Sequence, residues 1–319
     1  MNNFSLLEEK IETLAARIPF KKLEQAAAEL SLSYRAQTDG IKSQKPFMLS
    51  DDHKLAYLAL RMPATYAAIA DVLKKIPIQV KSLLDIGSGP GTAFFAAMSQ
   101  FPEMNEALLV ERDKQMIRHG KELLADVKNA RVEYLASDIA SYTPEKSYDL
   151  ITAAYALSEL TENAMESALT KLWTAANQVL CLIEPGTPYG FNAILRAREI
   201  LLKQNAFILA PCTHANPCPW KSGNPWCHFS TRFLRSKLQR RVKGAELGYE
   251  DEKYSYLIVI KTPLPRPESR IVKTPIKRSG FLSLTLCDAQ GIHDKNFSKK
   301  QKEVYLDAKK LEWGDGYTP

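Results

Sequence analysis

Long apolar runs are missing from this 319-residue chain, and no stretch approaches the roughly twenty residues that cross a bilayer. A membrane-spanning protein is therefore not expected. The start, MNNFSLLEEKIETLAARI, has no continuous apolar segment of the kind a secretory leader carries. Glu8, Glu9 and Glu12 also interrupt any basic face that a transit peptide would need. The expectation is a cytoplasmic protein of a bacterial cell. Cysteine is scarce: there are five, Cys181, Cys212, Cys218, Cys227 and Cys287. Without a secretion signal, structural disulfides are a poor default for them. Internal repeats and low-complexity tracts are absent too, which excludes solenoids and disordered arrays.

What is present is the balance of a globular protein, with 45% hydrophobic and 25% charged residues. The length allows a full core and an accessory domain. The net charge of +7 is unevenly spread. Residues 231–319 hold 19 Lys and Arg against 11 Asp and Glu, a balance of +8, and the rest of the chain is near neutral. A localised positive surface attracts phosphate backbones and gains from counterion release.

Residues 1–80 read as a helical region. LLEEKIETLAARI and KKLEQAAAELSLSYRA repeat apolar residues every three or four positions. TDGIKSQKPFMLSDD reads as a loop, and Pro63 should kink or divide the helical KLAYLALRMPATYAAIADVLKKI. From Lys81 to Lys261 strands alternate with helices, beginning VKSLLDIGSGPG, TAFFAAMSQF, EALLVERD and continuing to QVLCLIEPG. Helix-forming sequence follows from Phe191 to about Phe207. Such a succession predicts a mostly parallel sheet covered on both faces. KYSYLIVIK reads as its last strand, after residues 208–248 have interrupted the rhythm. TPLPRPESRIVKTP reads as a linker, and 262–319 as a basic, β-containing C-terminal extension.

Asp85-Ile86-Gly87-Ser88-Gly89-Pro90-Gly91 is the first functional signal. Glycines at 87, 89 and 91, between a strand and a helix, let a ligand approach the backbone at the carboxyl edge of the sheet. Glu111 closes the next strand twenty residues on, where a carboxylate can accept from ribose hydroxyls. Asp138 follows the third strand. The DxGSGPG form is closer to the S-adenosyl-L-methionine (SAM) motif than to the dinucleotide GxGxxG. Asp85 is assigned to the cofactor's amino-acid end, Gly87, Ser88, Gly89 and Gly91 to the turn that receives it, Glu111 to the ribose and Asp138 to the adenine amine. Asp149 is expected to start the fourth strand rather than touch ligand. On the acceptor side no complete catalytic set emerges. The Asn/Asp-Pro-Pro-aromatic element of adenine methyltransferases is replaced by Ala153-Ala154-Tyr155-Ala156, and Cys181 reads as buried core. Glu184 and Tyr189 are candidates to border a methyl-transfer pocket.

Cys212, Cys218 and Cys227 form C-x5-C-x8-C within a loop constrained by Pro211, Pro217, Gly223 and Pro225. Such a loop can gather thiolates around one centre. The tight C-x2-C pairs of a zinc ribbon and the C-x3-C-x2-C of radical SAM enzymes are both missing. Three thiols need a fourth ligand; Cys287 is available, with His214 and His228 as alternatives. Zinc and a [4Fe-4S] cluster both accept four thiolates, so spacing leaves the metal open. Trp220 and Trp226 are expected to shield the centre from water.

The blocks LALRMPATYAA, LLDIGSGPG, LIEPGTPYGF, PCTHANPCPW, WCHFSTR, KRSGFLSLTLC and EWGD stand in this order from about Ala56 to the end. In them the chain resembles the mitochondrial small-ribosomal-subunit methyltransferase-like assembly-factor family and its bacterial homologues. The resemblance implies a Rossmann-like class I SAM-dependent methyltransferase fold of the α/β class. It also implies [4Fe-4S] ligation by Cys212, Cys218, Cys227 and Cys287, and binding to the small ribosomal subunit, its precursor or its rRNA. The leading expectation is a SAM-binding, iron–sulfur-containing methyltransferase-like factor for small-subunit rRNA or its assembly. A non-catalytic assembly protein of the same fold, or a methyltransferase for a protein or small molecule, are the alternatives.

Overall fold

A computed structural model describes residues 3–38, 50–220 and 225–319 of the chain. Helices α1 (Asn3–Ala15), α2 (Phe20–Thr38), α3 (Asp51–Leu60) and α4 (Met62–Leu73) come first. Leu7, Ile11 and Leu14 of α1 meet Leu23, Ala26 and Leu30 of α2 and Leu55 and Leu58 of α3 in one buried cluster. That is the stripe their three- and four-residue spacing predicts. Pro63 does divide the helical stretch: it sits in the first turn of α4, where its missing N–H costs no hydrogen bond. Of the expected loop TDGIKSQKPFMLSDD, residues 39–49 lie outside the described residues. Asp51 and Asp52 form the first turn of α3, capped by Ser50, whose Oγ accepts from the His53 N–H at 3.2 Å.

The central sheet contains β1 (Ser82–Ile86), β2 (Glu106–Glu111), β3 (Arg131–Ala136), β4 (Tyr148–Ala154), β5 (Ala176–Pro185), β6 (Phe207–Ala210), β7 (Phe229–Leu234) and β8 (Tyr249–Ile260). Their order is β3-β2-β1-β4-β5-β8-β6, with β7 also paired to β8. The first five run parallel, and β8 is antiparallel to β5, β6 and β7. The short strand Leu83–Ile86 is buried throughout, as a parallel strand covered on both faces requires.

One face packs on α4 and α5 (Thr92–Gln100) through Val72, Phe94, Ala97 and Leu109. The other packs on α7 (Glu162–Ala175) and α8 (Pro188–Lys203) through Leu169, Trp173, Ile194 and Leu201. Helix α6 (Lys114–Leu124) follows β2, with Asp113 as its cap. Asp149 is the second residue of β4, where its carboxylate accepts from the Lys81 and Ser82 N–H groups at 2.9 and 3.3 Å.

Two sequence expectations shift. The helix expected to run to Phe207 ends at Lys203, because Asn205 turns the chain at φ 58° and Phe207 starts β6. The interruption at 208–248 holds β7 and α9 (Lys237–Lys243), and the chain then returns along β8 between β5 and β6.

A second sheet follows, made of β9 (Ser269–Ile271), β10 (Ile276–Arg278), β11 (Phe281–Asp288), β12 (Gly291–Ser298) and β13 (Gly316–Tyr317), with α10 (Glu303–Lys310) packed on it. Its own core is Ile271, Leu282, Leu284, Leu286, Phe297, Tyr305 and Tyr317.

Candidate functional site

The sheet order reverses between β1 and β4, and ligands of open α/β sheets bind outside the carboxyl ends of strands at such a switch point. The glycine turn lies there. Gly87, Gly89 and Gly91 all have positive φ, at 66°, 52° and 89°. A Cβ on Gly87 would stand 2.7 Å from the Ala156 Cβ, whereas one on Gly89 would meet open space. Gly87 is therefore glycine for packing as well as for backbone shape, while the backbone at Gly89 faces open space.

Glu111 ends β2 and folds over this turn. Its Oε2 accepts from the Gly89 N–H at 2.8 Å, and its Oε1 from the Asp113 N–H at 2.8 Å. Each oxygen keeps a lone pair. Asp85 ends β1 with only 1% exposure. Its Oδ1 accepts from Thr152 Oγ1 at 2.7 Å, while Oδ2 is buried without a partner. Burial lifts its pKa to about 7; the Thr152 hydrogen bond opposes this and the Glu111 charge adds to it. Ser88 Oγ and Thr92 Oγ1 are also buried and unpartnered. Three such atoms stand beside one turn and call for partners that the protein itself does not supply. Thr152 was not legible beforehand: it faces Asp85 through the β1–β4 register, which no sequence spacing records.

Asp138 follows β3 and closes its own turn by accepting from the Ala140 N–H at 2.9 Å. Its other oxygen reaches Arg112 at 3.4 Å, which also pairs with Glu159 at 2.9 Å. On the acceptor side, Glu184 is fully buried. Its Oε1 accepts from the Leu157 N–H at 2.8 Å, and Oε2 has no partner. Burial raises it to about 7, against hydrogen bonds from Ser158 and Leu157. Tyr189 donates to the Ser158 carbonyl at 2.6 Å, so both candidates hold the turn after β4. Cys181 is fully buried in β5, and burial pushes its thiol far up, which leaves it unreactive.

Cys212, Cys218, Cys227 and Cys287 line one cavity of about 40 Å³, walled also by Ile194 and Arg198 of α8 and Tyr256 of β8. Burial raises the Cys227 thiol, and the neighbouring Cys212, Cys218 and Cys287 raise it further. Cys287 is pushed up to about 12 by burial and then by Cys212 and Cys218. The alternation of β11 explains why Cys287 is there. Leu282, Leu284 and Leu286 fill the second sheet's own core, so Cys287 leaves the opposite face. The Asn216 amide donates to the Ala289 carbonyl at 3.2 Å and Arg270 Nε donates to the Pro211 carbonyl at 2.9 Å, both fastening the loop to this sheet.

Among the described residues, no three His, Cys, Asp or Glu side chains converge tightly enough to hold a single metal ion. Four donors about 2.3 Å from one zinc need that convergence. His214 lines the cavity with both ring nitrogens unpartnered. His228 instead stacks on Trp226 at 5.2 Å and meets the Trp226 carbonyl through Nδ1 at 3.2 Å. Trp220 lines the cavity, while Trp226 donates to the Gly186 carbonyl at 3.0 Å.

Parallel strands in the order 3-2-1-4-5, an antiparallel strand beyond them and a glycine turn at the switch point define a Rossmann-like methyltransferase fold. Residues 51–318 match the model of the family described as mitochondrial small ribosomal subunit Rsm22, and the chain belongs to that family. It is 27% identical over 289 residues to the human mitochondrial ribosome assembly protein METTL17, covering 82% of this chain and 61% of that one. Rsm22-cox11 tandem protein 2 of fission yeast, also mitochondrial, is 26% identical over 336 residues, covering 86% of this chain and 44% of its own length. The chain thus spans about half the length of these curated relatives. Among solved structures, a putative RNA methyltransferase from Pyrococcus horikoshii is 15% identical with a TM-score of 0.41, covering 63% of this chain and 84% of that one.

The cytoplasmic expectation does not stand, because these curated relatives are mitochondrial proteins by name. The acidic residues that suggested it belong to α1, whose Leu7, Ile11 and Leu14 are buried in the helical core.

Proposed function

We propose that this chain is a SAM-binding, iron–sulfur-containing factor that acts on small-subunit rRNA or on its assembly. One observation carries the reading. A glycine turn at the sheet's switch point, the edge where a ligand crevice is expected, and a four-thiol cavity occur in one chain of a family whose curated members include ribosome assembly proteins.

The crevice suits SAM by its donor set. Asp85, Ser88 and Thr92 present unpartnered buried oxygens for an amino-acid end, and Glu111 keeps lone pairs for ribose hydroxyls. Asp138 stands near Arg112 and Glu159, where an adenine amine is assigned to it. When bound, SAM supplies an electrophilic methyl group. The chain's part is to hold the ribose and orient the donor toward the space after β4.

The thiol cavity suits a polynuclear group. The thiols line a common void of about 40 Å³, and they do not converge on one point as ligands of a single ion would. Thiols that raise one another's pKa in a half-buried space become thiolates when cationic metal compensates them. Cys212, Cys218, Cys227 and Cys287 would hold a [4Fe-4S] cluster and so join the second sheet to the loop between β6 and β7.

A non-catalytic assembly role is the second reading. It is favoured by Tyr155, which stands where adenine methyltransferases carry their acceptor motif, at φ 60° with a buried, unpartnered hydroxyl. The test is a pair of measurements on anaerobically purified protein: SAM binding by calorimetry, and salt-dependent binding to small-subunit precursor RNA. Binding of both supports the proposal. Binding of neither rejects it, and RNA binding that is indifferent to SAM, with no methyl transfer, favours the assembly role alone.

A further inference from the structure

Around the four-thiol cavity the Tyr256 hydroxyl, Arg198 Nε and both His214 ring nitrogens are buried without a partner. Tyr256 on β8 is 1% exposed and lines the cavity. Its hydroxyl is buried without a hydrogen bond. Two residues earlier, the Tyr254 hydroxyl donates to Asp71, so this strand pairs its tyrosines where a protein partner exists. The Tyr256 ring is fixed edge-on to Phe229 at a centroid distance of 5.2 Å, which holds the hydroxyl in place. A buried hydroxyl left unpaired is unfavourable, and nearly all such groups have a partner.

Two cations line the same cavity. Arg198 on α8 is 4% exposed; its Nη2 donates to the His214 and Asn216 carbonyls at 3.1 and 2.6 Å, and its Nε is unpartnered. Arg270 is the cross-strand neighbour of Cys287, so both side chains leave one face of the sheet. It donates to the Pro211 and Gly314 carbonyls at 2.9 and 3.1 Å. Among the described residues, the hydrogen-bond partners of both guanidiniums are carbonyls. Arg198 is shielded from water and Arg270 is half-buried, and four metal-bound thiolates would offset both charges.

We propose that Tyr256, Arg198 and Arg270 tune the metal centre held by the four cysteines: the Tyr256 hydroxyl donates a hydrogen bond to one of its sulfurs, and the two guanidiniums offset its negative charge. This rests on the cluster reading above. Hydrogen bonds to sulfur and nearby positive charge both favour the reduced, more negative state and raise the potential.

The test is a redox titration of the anaerobically purified full chain, followed by visible absorbance, with resonance Raman spectra in H2O and D2O. Tyr256→Phe keeps the ring and all four thiols. It should shift the oxidised-to-reduced equilibrium about tenfold toward the oxidised form, ~59 mV for a one-electron couple, and should lose a D2O-sensitive Fe–S band. Arg270→Met should shift the equilibrium the same way by at least as much, and Arg270→Lys should stay close to wild type. A wild-type protein without iron and sulfide defeats the cluster reading itself. A wild-type protein that holds the cluster, beside a Tyr256→Phe variant with unchanged potential and unchanged D2O response, defeats the tuning role alone. Equal shifts in Arg270→Lys and Arg270→Met would reduce Arg270 to a brace for Pro211 and overturn its charge role. Where an arginine variant fails to take up iron, Tyr256→Phe still decides.

Discussion

Cys287 on β11 stands directly across from Arg270 on β9, so a thiol and a guanidinium leave the second sheet on the same face, opposite its leucine core. That face meets the loop carrying Cys212 and Cys218. The second sheet is thereby an integral wall of the cavity, and its removal would open the site.

Cys287→Ser tests this wall. Serine fits the site without disturbing Leu282, Leu284 or Leu286, so the sheet itself should stay folded. Iron per chain should fall below half of the wild-type value, and amide exchange in the loop around Asn216 should quicken. Unchanged iron content in the variant would remove Cys287 from the ligand set.

Gly87 and Gly89 should separate packing from ligand approach. Gly87→Ala combines a strained φ of 66° with a 2.7 Å contact to Ala156, and should cost roughly 2 kcal/mol of stability. Gly89→Ala meets open space and should cost about 1 kcal/mol while lowering SAM affinity by tenfold or more. Thermal melts and calorimetry read the two effects. Equal destabilisation with undiminished SAM binding in Gly89→Ala would argue against the crevice.

Asp85 gives a pH signature. Its pKa is about 7 in the folded state against 3.8 ordinarily, so between those values the folded protein holds a proton that the unfolded chain has released. Its contribution is full below the lower value and is lost as pH rises through about 7, by roughly 4 kcal/mol at most. Glu184 acts in the same direction, from 4.5 to about 7. In urea titrations at pH 5.5 and 8, Asp85→Asn should lose less stability across the interval than wild type. SAM carries positive charge, so its affinity should rise over the same interval in wild type and stay flat in the variant. Parallel curves for the two proteins would count against a buried, protonated Asp85.

Arg61 and Glu252 join the helical region to β8 through two hydrogen bonds of 2.8 and 3.1 Å, with Glu252 buried. Glu252→Gln leaves the shape and removes the charge. It should destabilise the protein by about 1.5 kcal/mol, because a charge-assisted two-point contact becomes a neutral one. A change in the urea midpoint equivalent to less than about 0.5 kcal/mol would show that the pair is screened by water.

Local features of the chain were readable because they follow from neighbours in sequence. The helical stripes of α1 and α2, the division at Pro63, the βα rhythm and the glycine turn all depend on spacing and on allowed backbone angles. The end of α8 was misread, because Asn205 terminates it through a backbone angle that periodicity does not encode. Thr152, Arg198, Arg270 and Tyr256 had no sequence signal. Each reaches its site through strand register or helix packing across long separations.

By itself, the sequence determined which residue types stand where: glycines at a strand-to-helix turn, carboxylates at strand ends, and three thiols close together with a fourth far along the chain. Only the tertiary structure decided which of them share a space, where β8 returns through the sheet, and which polar groups are buried without partners. The physical reason is that side-chain chemistry and backbone preference are local properties. Burial, register and electrostatic neighbourhood arise only when distant segments pack together.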